Sequence, residues 1–232
     1  MRTHRFCAAS AERFSAMKKI LLVFLLSASM FALFGCSQES LADRVSEYRS
    51  KIYLAESDGA SLQAEYSERE YPYAADGIVS DKSKYFEVRA ALPDNTLTYN
   101  IAFSLGGREY GGEMSYDSVR KEFTFSQSLS EPEEDSLTFT ITAEDGPVYT
   151  LEAARVGGTH LSLPALLDEI ENSQKDVLQD FAGEKFNGEI YVRLLSQDGK
   201  CYYYVGFIDR SGKCLSFLAD AETGNVLATR QP

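Results

Sequence analysis

Tryptophan is absent from this chain of 232 residues, and histidine occurs only twice. Without tryptophan there is no Cys…Trp…Cys pattern of an antibody-type domain. With so little histidine, a His/Cys metal centre, which needs three or four ligands converging on one ion, has too few donors, and no metal is expected. Basic residues are in the minority, 23 Lys and Arg against 35 Asp and Glu, giving a net charge of −12. That balance repels a phosphate backbone, so no nucleic acid is expected as a partner. A glycine-rich phosphate loop, a nucleophile elbow and a dinucleotide fingerprint are also missing, and no cofactor is expected. No apolar run reaches the roughly 20 residues needed to cross a bilayer.

The longest apolar run, residues 20–34, is short, but its context is specific. Met17, Lys18 and Lys19 precede it, and Leu33-Phe34-Gly35-Cys36 closes it. A charged start, a short apolar stretch, a small residue and a cysteine follow the order of a secretory signal. The segment resembles a bacterial lipoprotein signal. The resemblance implies that residues 1–35 are a signal peptide and that Cys36 becomes the lipidated first residue, carrying acyl chains of the palmitate type. It also implies an extracytoplasmic protein anchored to the bacterial cell membrane. The alternative is a short uncleaved anchor. Phe34 is bulkier than the Ala or Ser usual at that position, which bears on cleavage efficiency. Residues 1–16 stand ahead of a complete signal and read as an over-extended start, with Met17 the true initiator. Removing residues 1–35 leaves 197 residues with 18 basic and 34 acidic side chains, a net charge of −16. Anionic headgroups repel such a chain, so lipid must hold it. One acyl chain binds marginally, whereas two or three anchor firmly.

Residues 36–58 read as a lipidated tether and a short helix: Ser40 is placed as an N-cap, and Leu41, Val45, Tyr48 and Ile52 repeat at helical spacing. From residue 59 to 156 the period changes to two. Leu62, Ala64 and Tyr66 alternate with polar residues, as do Phe86, Val88 and Ala90, Leu97 through Phe103, Phe123 and Phe125, Leu137 through Ala143, and Tyr149 and Leu151. Turn residues separate them, and strict alternation means one buried and one wet face. Six or seven such strands without an intervening helix predict an antiparallel β-sandwich with an immunoglobulin-like outline, a small barrel being the alternative.

Gly157-Gly158-Thr159 then marks a hinge, and residues 159–232 form a second module. Ser162 is expected to cap a helix with Pro164 in its first turn. Leu163, Leu166, Leu167, Ile170, Val177, Leu178 and Phe181 make one apolar stripe that Gly183 stops. Strands are predicted at 189–195, 200–208, 213–219 and 225–229. The fold class is therefore mainly β with an α+β end, a helix laid across an antiparallel meander. Tyr202-Tyr203-Tyr204-Val205-Gly206-Phe207-Ile208-Asp209-Arg210-Ser211-Gly212, followed by Ala219-Asp220-Ala221-Glu222-Thr223-Gly224-Asn225-Val226-Leu227, resembles a PepSY-type domain. Ala219 stands where that family usually has Val. The resemblance covers about 70 residues and is sharpest in the last twenty. It implies a non-enzymatic module of an exported protein, of the kind associated with binding or restraining peptidases.

Few residues carry chemistry. Cys201 and Cys214 each follow a Gly-Lys pair and open a strand. On antiparallel neighbours they start at opposite ends of the ladder, roughly 20 Å apart, beyond the ~7 Å that a disulfide spans. Two free, mostly buried thiols are expected. His160, the one histidine left after processing, has an alternative use as a partner of Cys201 or Cys214 in a thiol–histidine pair. Glu131, Glu133, Glu134 and Asp135 lack the alternation and glycine of a calcium loop and read as a solvated loop. Asp209, Asp220 and Glu222 lie near the last turns. Tyr202, Tyr203 and Tyr204 are the candidate binding surface, because alternation must present at least one of them on each face. The function expected is non-catalytic binding of a peptide, a peptidase or another envelope component. The alternatives are an envelope hydrolase using a thiol–His or carboxylate pair, and a solute-receptor lipoprotein.

Overall fold

The computed structural model describes residues 40–231 except 58, 145 and 184. The segment read as a signal, both candidate starts and Cys36 lie outside the described residues. Strands β1 (Val45–Ser57), β2 (Ala60–Glu70), β3 (Lys82–Ala91), β4 (Tyr99–Leu105), β5 (Arg108–Glu113), β6 (Ser115–Asp117), β7 (Glu122–Gln127), β8 (Ser136–Ala143) and β9 (Val148–Arg155) come first. Helices α1 (Leu163–Ser173) and α2 (Lys175–Ala182) follow, then β10 (Glu189–Gln197), β11 (Lys200–Ile208), β12 (Cys214–Asp220) and β13 (Val226–Arg230). The chain is mainly β, as its alternation predicts.

All thirteen strands belong to one sheet, in the order β13-β12-β11-β10-β1-β2-β3-β7-β6. A second arm leaves β1 through β9, β8, β4 and β5. β5 pairs with β4, and β6, one residue further along, pairs with β7. Met114 between them donates its backbone N–H to the Tyr99 carbonyl at 2.8 Å. This continuous segment draws the two arms together, and the sheet is nearly closed. β1 with β10 is the one parallel pairing among the described strands.

Two apolar cores result. The first fills the curl of β1–β9 and is rich in aromatics: Phe103 lies 5.5 Å from Phe86 and 5.2 Å from Phe139, and Tyr99 lies 4.7 Å from Phe123. Burying each such ring contributes roughly 1.5–3 kcal/mol. The second core packs Leu166, Leu167 and Ile170 of α1 on Val192, Tyr203, Val205 and Phe217. Ser162 caps α1, its hydroxyl accepting the Ala165 N–H at 3.4 Å. The single helix expected over 163–181 is divided at Gln174, with φ −117° and ψ 24°, where the chain turns from α1 into α2, while its apolar stripe still packs on one core. Gly183 ends α2 at φ +72°, as expected of a helix-stopping glycine.

β1 serves both cores, Val45 in the second, Tyr53 and Ala55 in the first. The short helix expected within 36–58 is corrected here. Only Leu41–Arg44 is helical, as a 3-10 turn, and the next thirteen residues are strand. The cause is two irregularities in β1, one between Val45 and Glu47 against β10 and one between Arg49 and Lys51 against β2. Each adds a residue to the period of two. The positions on one face, Val45, Tyr48, Lys51 and Tyr53, are thereby spaced three, three and two apart. That spacing mimics a helix.

Candidate functional site

The irregularity at Ser50 marks the place where β1 changes partner. Up to Arg49 it pairs with β10; at Tyr53 and Leu54 it pairs with β9. Between them the strands splay, bridged by the Val156 N–H donating to the Ile52 carbonyl at 2.9 Å. A cleft of about 700 Å³ opens at this fork, between the two cores. Tyr48 and Lys51 of β1 and Tyr203 of β11 form its floor. One wall is the loop 128–135 and the other is the linker 156–162.

The first wall is tied down by polar contacts. Ser50 Oγ donates to Glu131 Oε1 at 2.6 Å, Lys51 Nζ donates to the Pro132 carbonyl and lies 3.9 Å from Glu131, and the Tyr53 hydroxyl donates to the Glu134 carbonyl at 2.8 Å. Arg155, at the end of β9, pairs with Asp135, and its backbone N–H donates to the Asp135 carbonyl at 2.7 Å. Each cation of the cleft therefore has its own carboxylate, and the charged groups are balanced. Glu134 faces away and accepts the Gly106 N–H at 3.0 Å, which holds its carboxyl below the usual carboxylate range.

The second wall holds His160. A Cβ on Gly157 would lie 2.2 Å from His160 Nε2 and 2.7 Å from Cys201 Sγ, so imidazole and thiol flank the same α-carbon. His160 and Cys201 thus lie on the same glycine with no hydrogen bond from the imidazole Nε2, while Cys214 sits at the far end of the β11–β12 ladder, opposite Ile208. The electrostatics are those of a neutral pair. Burial pushes the His160 imidazole below its ordinary value, and Arg155 adds to the effect. Burial also pushes the Cys201 thiol up, as does Glu222. A reactive cysteine needs a lowered pKa and an electropositive setting. Cys201 has neither. His160 Nε2 is buried with no hydrogen-bond partner.

The tyrosine run divides as alternation requires. Tyr203 is buried in the second core; its hydroxyl lies 3.2 Å from the Leu161 carbonyl and hydrogen-bonds with Tyr48. Tyr202 and Tyr204 are half-buried on the opposite face. There Tyr204 stacks near Tyr191 at 5.7 Å, and hydrogen bonds with Ser216 and Tyr191 pull its phenol below the ordinary value. The three phenols form no common surface, and only Tyr203 reaches the cleft. Both C-terminal thiols are free, but Cys214 is exposed, which corrects the expected burial. Asp209 and Asp220 are turn-makers: Asp209 Oδ1 accepts from Ser211 N at 2.8 Å, and Asp220 Oδ1 from Thr223 N at 2.9 Å. The Asp220–Gly224 turn docks the linker, since the Leu161 N–H donates to the Ala221 carbonyl at 2.9 Å. Tyr48 stands out in the sequence only as one member of an apparent helical repeat, and no local pattern marks Lys51 or Arg155, because the three meet only through pairing of distant strands.

Among the described residues no group of three or more His, Cys, Asp or Glu is placed to hold a metal, and no helix is long and apolar enough to cross a membrane. No protein-family model matches the chain, and no curated protein matches it.

Proposed function

We propose that this protein is a lipid-anchored extracytoplasmic lipoprotein that binds an envelope component without transforming it. The observation that carries the binding half of this reading is the cleft at the fork of β1, polar, charge-balanced and lined by the His160 ring. The neutral state of His160 and Cys201 favours binding over thiol chemistry. The anchoring half rests on the signal-like segment ending at Cys36 and on an acidic chain that needs lipid to stay at a membrane.

The finer architecture we propose is a sandwich-like module over residues 59–156 and a PepSY-like module over 159–232. The first is supported by two arms of antiparallel sheet folded over one aromatic core. The second is supported by helices α1 and α2 packed on the β10–β13 meander, and by the Asp220–Gly224 turn. On this reading the bound component is a peptide, a peptidase or another envelope molecule, with the membrane reached through Cys36. A thiol hydrolase is the rival; labelling by a neutral-pH thiol probe that disappears in His160→Ala would favour it.

The test is metabolic labelling of the full chain with radioactive palmitate. Label is expected in the wild type and not in Cys36→Ser, with the labelled protein in the membrane fraction. An unlabelled wild type found in the cytosol would overturn the proposal.

A further inference from the structure

We propose that the cleft at the fork of β1 takes a neutral, polyhydroxylated ligand, a short saccharide segment, held by paired charges and phenols; this rests on the binding reading above. The balance of charge, the polar lining and the interior position of β1 point to that chemistry. The cations Lys51 and Arg155 are matched by Glu131 and Asp135, so no surplus charge selects an anion or a cation. Such pairs set donors beside acceptors, which is the arrangement a hydroxyl group needs, because every hydroxyl both gives and takes a hydrogen bond. The His160 ring lines the wall of the cleft, its Nε2 being buried against Gly157.

The setting disfavours the other ligand classes. Small apolar ligands bind in sites lined mainly by hydrophobic side chains, whereas this floor carries the phenol of Tyr48 and the ammonium of Lys51. Extended peptides add to a free sheet edge. β1 is an interior strand, flanked by β2 on one side and by β10 and β9 on the other. At about 700 Å³ the space falls within the usual range for a ligand of several rings.

Gly158 provides the means to close the cleft without disturbing its walls. It is exposed, and a Cβ there would find only Glu222 Oε1, at 3.9 Å, an ordinary contact. The experiment is calorimetric titration of the full lipidated chain, in detergent micelles, with four probes: chitotetraose, cellotetraose, tetra-alanine and inorganic phosphate. Wild type is expected to bind at least one tetrasaccharide. Gly158→Phe is expected to weaken it by at least about tenfold, a loss easily resolved in a binding constant, with an unchanged thermal midpoint. Arg155→Met, which removes a donor and strands Asp135, is expected to weaken it as well. Binding of tetra-alanine or phosphate alone, blocked by Gly158→Phe, would overturn the saccharide assignment and leave the cleft a binding site. Saccharide binding that Gly158→Phe and Arg155→Met both leave intact would remove it from this cleft. No heat with any probe would overturn the saccharide assignment. Capture of the same envelope material by wild type and by Gly158→Phe would then overturn the cleft reading separately.

Discussion

At the scale of single residues, Gly157 is where backbone and site chemistry meet. Its φ of +80° is costly for any side chain, and a Cβ would intrude on both His160 and Cys201. Gly157→Ala is expected to cost about 1–3 kcal/mol, the range for a strained backbone position, read as a lowered denaturant midpoint. An unchanged midpoint would mean that the linker takes another path. Residue-level reading from sequence had mixed reach. The free state of both C-terminal thiols followed from ladder geometry, since Tyr202 faces Asp220 at one end and Ile208 faces Cys214 at the other. Their unequal exposure did not follow. Burial depends on what covers a position: Gly157 of the linker lies against Cys201, whereas Cys214 is exposed.

Among the elements, the connection between β2 and β3 is tied across β10 by a buried carboxylate. Glu189, at the start of β10, has no exposed surface, and neither of its carboxylate oxygens finds a partner at good hydrogen-bonding geometry. Glu70 and Asp76 face it, as do the Tyr73 hydroxyl and, nearby, the Glu47–Arg193 ion pair. Burial, reinforced by Glu70 and Asp76, pushes the Glu189 carboxyl up to about 7, which the Gly77 backbone and Ser46 offset only in part. The folded protein thus holds this proton more tightly than the unfolded chain does. Its stability is greatest below the ordinary carboxyl value and falls as pH rises, the loss being complete once pH passes about 7. Denaturation across pH 4.5–8 is expected to show this fall in the wild type and a flatter profile in Glu189→Gln. Parallel profiles would place the titrating group elsewhere. Elements with clean alternation were legible in sequence, β11 to the residue at both ends. β1 was not, because its two extra residues disguise a strand as a helix. Nor was β5, whose Arg108-Glu109-Tyr110-Gly111-Gly112-Glu113 carries almost no apolar signal. There the tight approach to β4 explains the composition: a Cβ on Gly111 would lie 2.3 Å from the Ile101 carbonyl oxygen.

For the molecule as a whole, two cores lean on one strand, and the cleft lies where they part. That is why the class of fold was legible and the site was not. Its floor and walls come from β1, the loop 128–135, the linker 156–162 and β11, brought together by contacts that leave no mark on local sequence. A fragment of residues 59–232 lacks the common strand and exposes Tyr66, Ile190 and Val192 to water. It is expected to lack the dispersed amide spectrum that residues 40–232 show; a well-dispersed spectrum from the shorter fragment would refute the dependence. The same pairing governs the order of assembly. Glu47 waits for Arg193, 146 positions later in synthesis, before the one parallel ladder among the described strands can close. Such distant pairing makes for slow folding. A polypeptide whose first described strand is completed only by the fourth strand from the last stays unlocked until nearly all of it has left the ribosome, which is the condition the proposed export would impose.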